Sequence, residues 1–276
     1  MATETTLTIG GDLTVNRMGF GALRIIGSGG FGEPADRAAS LALLRHVVAS
    51  GVGFIDTADS YGPGTSEELI AEALHPYRGV TIATKGGLTR PHRNSWQPNG
   101  RPDHLRRACE ASLKRLRVER IDLYQLHTID PDVPLEDSVG TLAALQREGK
   151  IRHIGVSNFD TRQLARAQKI ARIVSVQNLY NLGDRSSDAV VDACARDGLA
   201  FLPWFPLNAG SLAKPAKKLR EAAERMKASP SQVALAWLLK RSPTMLPIPG
   251  TSSPAHFDEN WAARNLRLSD ADFAAL

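Results

Sequence analysis

The sequence predicts an α/β fold of the (β/α)8 TIM-barrel type, with an N-terminal β-hairpin closing the bottom of the barrel. Three observations carry that expectation. Short apolar runs alternate with amphipathic stretches along nearly all of the 276 residues. The apolar runs end at residues 20, 56, 85, 127, 157, 177, 205 and 249, a little over 30 apart on average, which is the size of a βα unit. The chain length also suits one barrel, which takes about 250 residues, so residues 1–276 read as a single domain. The same alternation suits two Rossmann domains, and the polar residues must decide between them.

The strands are expected at Met18–Phe20, Gly53–Asp56, Val80–Lys85, Leu123–His127, His153–Ser157, Val174–Gln177, Leu199–Phe205 and Met245–Pro249. Between them lie helix candidates: Ala35–Ser50, Thr65–Leu74, Asp103–Leu116, Pro134–Gly149, Thr161–Ala171, Ser186–Asp197, Leu219–Lys227 and Ser253–Arg264. Thr65-Ser66-Glu67-Glu68 puts acidic residues in a first turn, where the helix dipole favours them. Pro134 suits a first helical position, and Gly149 and Gly198 suit the position just past a helix end. Ahead of the first strand, LTIGGDLTV reads as two short strands turning at Gly10-Gly11.

Bulk properties narrow the function. Apolar residues make up 42% and charged residues 23%, as in ordinary globular proteins. The net charge of +5 suits a polyanionic cofactor, but the Lys and Arg residues are scattered without interleaved aromatics, so no nucleic-acid partner is expected. Cys109 and Cys194 stand alone without a C-x-x-C pair, which argues against a zinc site or a disulfide framework and suits a reducing compartment. No metal is expected. MATETTLTIGGD lacks a basic and an apolar signal region, and no run of 18 apolar residues exists, so the expected location is cytoplasmic, with no membrane partner. A monomer is slightly favoured over an oligomer. Of the histidines, His46, His75, His92, His104 and His153 fall at positions with no partner cluster and read as structural.

Gly27-Ser-Gly-Gly-Phe-Gly32 matches G-x-G-x-x-G, the dinucleotide-binding turn. Its context is wrong for that turn. ALRII separates the first strand from Gly27, and Glu33-Pro34 separates Gly32 from the next helix. The glycines are expected to form a flexible loop over the barrel mouth, beside the substrate.

Several strands end on residues too polar for a core: Asp56, Lys85, His127, Ser157 with Asn158, and Gln177. In a parallel barrel all strand C-termini share one face, so these side chains converge. Asp56 and Lys85, on adjacent strands, are expected to pair. Tyr61 lies five residues past Asp56 and can fold back beside Lys85. A neighbouring ammonium favours the phenolate, which would tune Tyr61 as a proton donor to a carbonyl oxygen. His127, as a neutral imidazole, can orient that carbonyl. None of these groups carries a hydride, so the site needs a redox cofactor.

With these residues in place, the chain resembles the aldo-keto reductase family over nearly its whole length. The resemblance rests on MGFGA, FIDTADSYG, TKGG, DLYQLH, IGVSNF, VQNLYN, PWFPL and IPGTSSPAHFDEN in order. It implies a catalytic tetrad of Asp56, Tyr61, Lys85 and His127, with the tyrosine as general acid. It implies NADPH as cofactor, with NADH possible. Ser157, Asn158 and Gln177 stand where the family binds the nicotinamide carboxamide. Trp204 stands where a Tyr or Phe usually stacks on the nicotinamide ring, with Pro206 and Leu207 following on the cofactor side. Gly21, Ala22 and Leu23 fall in the first cofactor-contacting turn, and Ser211 and Leu212 in the loop that closes over the pyrophosphate. Gly250, Thr251, Ser252, Ser253 and His256 stand at the adenosine 2′-phosphate site, with Gly250 and His256 in places often held by Lys and Arg. Glu259 and Asn260 match the adenine-contacting pair.

Substrate contacts are expected from Ile25, Phe31, Trp96 and Thr128, in the loops after the strands. The sequence ends at Leu276 within an expected last helix, leaving out the long C-terminal loop of steroid-reducing members and implying an open pocket for a small or planar aldehyde. FGEPADR, W-x-P, PWFPL and IPGTSS are most similar to the bacterial branch that includes pyridoxal reductases. The function so implied is NADPH-dependent reduction of a small aldehyde or ketone, pyridoxal among them. The alternative is an NADPH-binding redox-sensing or regulatory subunit of the same fold.

Overall fold

The computed structural model describes residues 5–208 and 217–276. A parallel sheet of seven strands runs through it: β3 (Phe20–Gly21), β4 (Phe54–Asp56), β5 (Thr81–Gly86), β8 (Ile121–Leu126), β9 (Ile151–Ser157), β10 (Ile173–Leu179) and β11 (Ala200–Trp204). These strands are covered on both faces, so nearly all of their residues are buried, polar ones included.

The two edges of the sheet meet through residues 245–249. Phe201 N donates to Thr244 O at 2.9 Å and Leu246 N to Phe201 O at 2.8 Å on the β11 side. On the β3 side, Gly19 N donates to Pro247 O at 2.9 Å and Gly21 N to Pro249 O at 3.3 Å. This segment is the eighth staver of a closed (β/α)8 barrel. It departs from a regular strand because both residues facing β3 are prolines, which accept hydrogen bonds but have no N–H to return.

The hairpin of β1 (Thr6–Ile9) and β2 (Leu13–Asn16) closes the bottom, as expected. Its Ile9, Leu13 and Val15 pack with Phe54, Ala83, Leu123 and Leu202 in one buried cluster inside the barrel. The turn is tied to β9 by Asp12, which bonds His153 Nε2 at 2.6 Å and Arg152 at 3.0 Å. His153 therefore has a partner and a structural role. A larger cluster lies between the strands and the helices and includes Leu43, Leu69, Leu142, Leu164, Val191 and Trp237.

The helices are α1 (Arg37–Ala49), α2 (Thr65–Leu74), α3 (Pro102–Leu116), α4 (Leu135–Arg147), α5 (Thr161–Gln168), α6 (Asp188–Asp197), α7 (Lys217–Met226), α8 (Pro230–Arg241), α9 (Pro254–Ala262) and α10 (Asp270–Ala275). Pro134 is the cap of α4 rather than its first helical residue, because its ψ of 131° is extended. Gly198, with φ of +67°, caps α6 in the left-handed conformation that glycine adopts without strain.

The sequence reading omits α8. Its signal was nonetheless present: Ser229 and Gln232 form a reciprocal capping box, with Pro230 at the first turn. Helix α8 buries Val233, Leu235 and Trp237 and completes the seventh unit, whereas α7, which was expected there, lies in the connection ahead of it. A second departure is the small hairpin of β6 (Leu88–Thr89) and β7 (Gln97–Pro98), which rises from the end of β5. Among the described residues no helix is long and apolar enough to cross a membrane, and both cysteines are buried and unpaired.

The inner layer is tightly filled at Gly155, where an added Cβ would lie 2.2 Å from Ser175 Oγ and 2.8 Å from Gln125 Cγ. Gly155→Ala is expected to destabilise the barrel by about 1–3 kcal/mol. A urea midpoint equal to that of the wild type would show that the layer has room.

Candidate active site

The end of β4 sets Asp56 just inside the barrel mouth, where its carboxylate is 2% exposed. Lys85, near the end of the adjacent β5, is fully buried and lies 2.6 Å from Asp56 Oδ2. Its ammonium also donates to Thr57 O at 2.8 Å and reaches Tyr61 Oη at 3.5 Å. The second carboxylate oxygen, Oδ1, accepts from Gln125 Nε2 at 3.1 Å and Gln177 Nε2 at 2.9 Å. A buried ion pair needs such satisfaction, since the Coulomb attraction alone repays desolvation poorly. Gln125 is a member the sequence reading omits. The signal was its place two residues before His127, on the same face of β8.

Tyr61 folds back from the loop after β4 and packs edge-to-face on His127, with ring centroids 5.9 Å apart. His127 follows β8 directly, and its N–H donates to Gly86 O at 2.9 Å. Burial pushes its imidazole well below the usual histidine range, and the Lys85 charge adds to that, so the ring is neutral as expected. The expected lowering of the Tyr61 phenol is corrected by the structure. Burial raises it, and the Lys85 ammonium only partly opposes that rise. Burial alone would lower Lys85, but Asp56 and Tyr61 outweigh it and the net direction is up. The resting site therefore holds a neutral phenol beside a fixed cation: a proton donor whose product anion already has its counter-charge in place.

One cavity of about 740 Å³ opens above this cluster. Asp56, Tyr61 and His127 line its floor, and Gly21, Ala22, Leu23, Trp204, Pro206 and Leu207 line its walls. Ser157, Asn158 and Gln177 also face it. All three are engaged within the protein. Ser157 Oγ donates to Gln177 O at 2.7 Å, and Asn158 bridges His127 O at 3.0 Å and Trp204 Nε1 at 3.0 Å. Gln177 Nε2 serves Asp56, which leaves its carbonyl oxygen as the group free for a ligand. Asn158 adopts φ of +62°, a strained value that Asn tolerates better than most residues.

The far lobe of the cavity is formed by Gly250, Thr251 and Ser252 ahead of α9 and by His256, Glu259 and Asn260 within it. Ser253 caps α9, accepting from His256 N at 3.4 Å, and lies behind the wall rather than in it. Glu259 lines the lobe and also accepts from Ser229 Oγ at the start of α8. Gly250 and Gly21 press together: an added Cβ at 250 would lie 2.4 Å from Gly21 O. That position would also lie 3.7 Å from Cγ of Arg24, an exposed cation that lines the same cavity. The sequence reading omits Arg24, because only barrel closure brings it to Gly250. Ser211 and Leu212 lie outside the described residues.

The expected substrate residues divide. Trp96 lines the cavity at 43% exposure. Ile25 is 1% exposed and belongs to the core, so it is not available to a ligand. Phe31 and Thr128 are half-buried outside the cavity wall.

The glycine loop is also not the free loop expected. Gly32 N donates to Gly62 O at 2.9 Å and Gly62 N to Gly30 O at 3.2 Å, while Arg90 bonds Gly29 O and Gly30 O, each at 3.2 Å. The Arg90 guanidinium stacks 3.6 Å from the Trp96 ring centroid, so the glycine loop and the β6–β7 hairpin are one braced structure. Asp36 caps α1 by accepting from Ala39 N, which places a carboxylate where a dinucleotide turn would place phosphate.

The family model described as "Aldo/keto reductase family" matches residues 17–276. An uncharacterized oxidoreductase of Schizosaccharomyces pombe is 49% identical over 96% of this chain and 87% of its own length. Pyridoxine 4-dehydrogenase of Escherichia coli is 44% identical over 96% of this chain and 95% of its own length. The crystal structure of an aldo-keto reductase from Klebsiella pneumoniae in complex with NADPH superposes with a TM-score of 0.82 at 30% identity, covering 99% of this chain and 94% of that one.

The buried neutral His127 has a consequence for acid stability. In the unfolded chain a histidine takes up a proton below about pH 6.5, whereas in the folded chain this one does not until far lower pH. The unfolded state therefore binds more protons in that window, and stability falls as pH drops through it. His127→Gln is expected to flatten the slope of unfolding free energy against pH below 6.5, relative to the wild type, in urea titrations.

Proposed function

The chain belongs to the aldo/keto reductase family, and on that premise we propose that it is an NADPH-dependent reductase of small aldehydes and ketones. The observation that carries this reading is the shared cavity. Asp56, Tyr61 and His127 stand at its floor with Lys85 buried beneath them, and residues ahead of and within α9 line the same space. The fit to NADPH is supported by Trp204 in the cavity wall and by Thr251 and Ser252 beside a helix N-terminus. When bound, NADPH supplies the hydride that no side chain here can supply.

The residues handle the proton. Tyr61 Oη gives its proton to the carbonyl oxygen as that oxygen gains negative charge. Lys85, held by Asp56 at 2.6 Å, meets the phenolate that remains. His127 orients the carbonyl by a hydrogen bond from its neutral ring. Lys85 is fully buried, so solvent screens its charge on Tyr61 little.

Pyridoxal is the substrate we favour. The named activity of the 44% identical Escherichia coli relative, which this chain covers over 95% of its length, supports a pyridoxine–pyridoxal couple. The partly exposed Trp96 in the cavity lining suits an aromatic substrate ring. NADPH oxidation by the purified protein with pyridoxal, with 4-nitrobenzaldehyde and with aliphatic aldehydes tests both levels. Turnover of aliphatic aldehydes with pyridoxal inert would remove the substrate assignment and keep the reductase.

Tyr61→Phe is expected to cut turnover by about 10²–10⁴-fold while NADPH still binds. Intact turnover would overturn the acid role. Arg24 is the cation we place on the nucleotide phosphate, since no side chain fits at Gly250. Arg24→Ala is expected to weaken NADPH by about tenfold and NADH little, read from fluorescence titrations of both. Equal losses for the two nucleotides would move Arg24 away from the 2′-phosphate.

A further inference from the structure

Ser60 stands directly before Tyr61 in the loop after β4 and is 2% exposed. Its Oγ lies 3.3 Å from Nδ1 of His127. Among the described residues this nitrogen is the one hydrogen-bond partner of the Ser60 hydroxyl. A hydroxyl has one proton to place, and a buried one left without an acceptor costs free energy. Nδ1 is therefore the acceptor. A neutral imidazole that accepts at Nδ1 carries its proton on Nε2.

The rest of the ring's surroundings agree. The main chain of His127 is held at both ends, its N–H on Gly86 O and its carbonyl under Asn158 Nδ2. Tyr61 packs edge-to-face on the ring, and the ring faces the cavity. With Nδ1 turned to Ser60, the Nε2–H edge is the one left for a substrate. The other tautomer would present a bare nitrogen lone pair to the lone pairs of a carbonyl oxygen, which repel it.

We infer that Ser60 is a positioning residue: its hydroxyl donates to His127 Nδ1 and fixes the tautomer whose Nε2–H meets the substrate carbonyl. The consequence for turnover rests on the reductase reading above, whereas the tautomer does not. The side chain acts through His127 and touches no reacting atom.

The test uses full-length protein loaded with NADP+ and labelled with 15N-histidine, with His127→Gln identifying the His127 signals. The expected wild-type spectrum has a pyridine-type Nδ1 and a pyrrole-type Nε2. A protonated Nδ1 would overturn the inference. In Ser60→Ala the His127 nitrogen signals are expected to shift as the tautomer bias is lost. The same variant should lower kcat/KM for the carbonyl substrate by about 2- to 10-fold, with NADPH affinity unchanged. Ser60→Thr, which keeps the hydroxyl, should restore both readouts. A drop in turnover with the nitrogen signals unmoved would mark a merely structural role and overturn the inference. Absence of turnover in the wild type would refute the reductase reading, and the nitrogen signals would still decide the role of Ser60.

Discussion

A lysine ammonium and an aspartate carboxylate, both buried and 2.6 Å apart, set the terms for everything above them in this barrel. Neither charge is tolerable alone, because removing one partner of a buried pair typically costs about 3–5 kcal/mol. The fold meets that demand with main-chain and amide partners. Thr57 O accepts a second hydrogen bond from Lys85, and Gln125 and Gln177 satisfy the remaining carboxylate oxygen. Because the two glutamines come from β8 and β10, the pair also ties opposite walls of the barrel through hydrogen bonds that the low dielectric strengthens. The cation reaching Tyr61 is thus a fixed feature of the fold.

Close backbone approach is the second constraint, and it explains why several glycines sit where they do. Gly155 leaves room for Gln125, which serves Asp56. Gly21 and Gly250 let β3 meet the proline-rich eighth staver that closes the barrel. The same contact leaves no room for a side chain at 250 and sets Arg24 beside it. Around the rim, Arg90 uses its planar fork on two glycine carbonyls and its face on Trp96, so that an aromatic wall is held in one orientation.

The legibility of this protein followed the range of the physical signal. The strand ends Asp56, Lys85, His127, Ser157 and Gln177 were visible because strand periodicity and barrel symmetry put polar residues at matching places in each unit. The capping box of α8, Ser229 with Gln232, was equally local, although α8 was not among the expected helices. Ile25 was misplaced for a different reason. Its sequence neighbours Leu23 and Arg24 face the cavity, and only the short 3-10 turn over Ala22–Ile25 rotates Ile25 into the core. The glycine loop was expected to be free because its residues are permissive, and the partner that braces it, Arg90, lies about sixty residues away.

By itself, then, the sequence determined the barrel, its hairpin floor and the identity of the charged and phenolic groups at its mouth. Those follow from hydrophobic period, turn chemistry and the position of polar residues within each repeat. Only the tertiary structure decided how those groups are poised. Burial turned the Tyr61 phenol upward against the pull of Lys85, and packing brought Ser60 to His127 and Arg24 to Gly250. The reason is that dielectric environment and contact between distant residues arise when the barrel closes, and no local pattern along a chain encodes the distance across it.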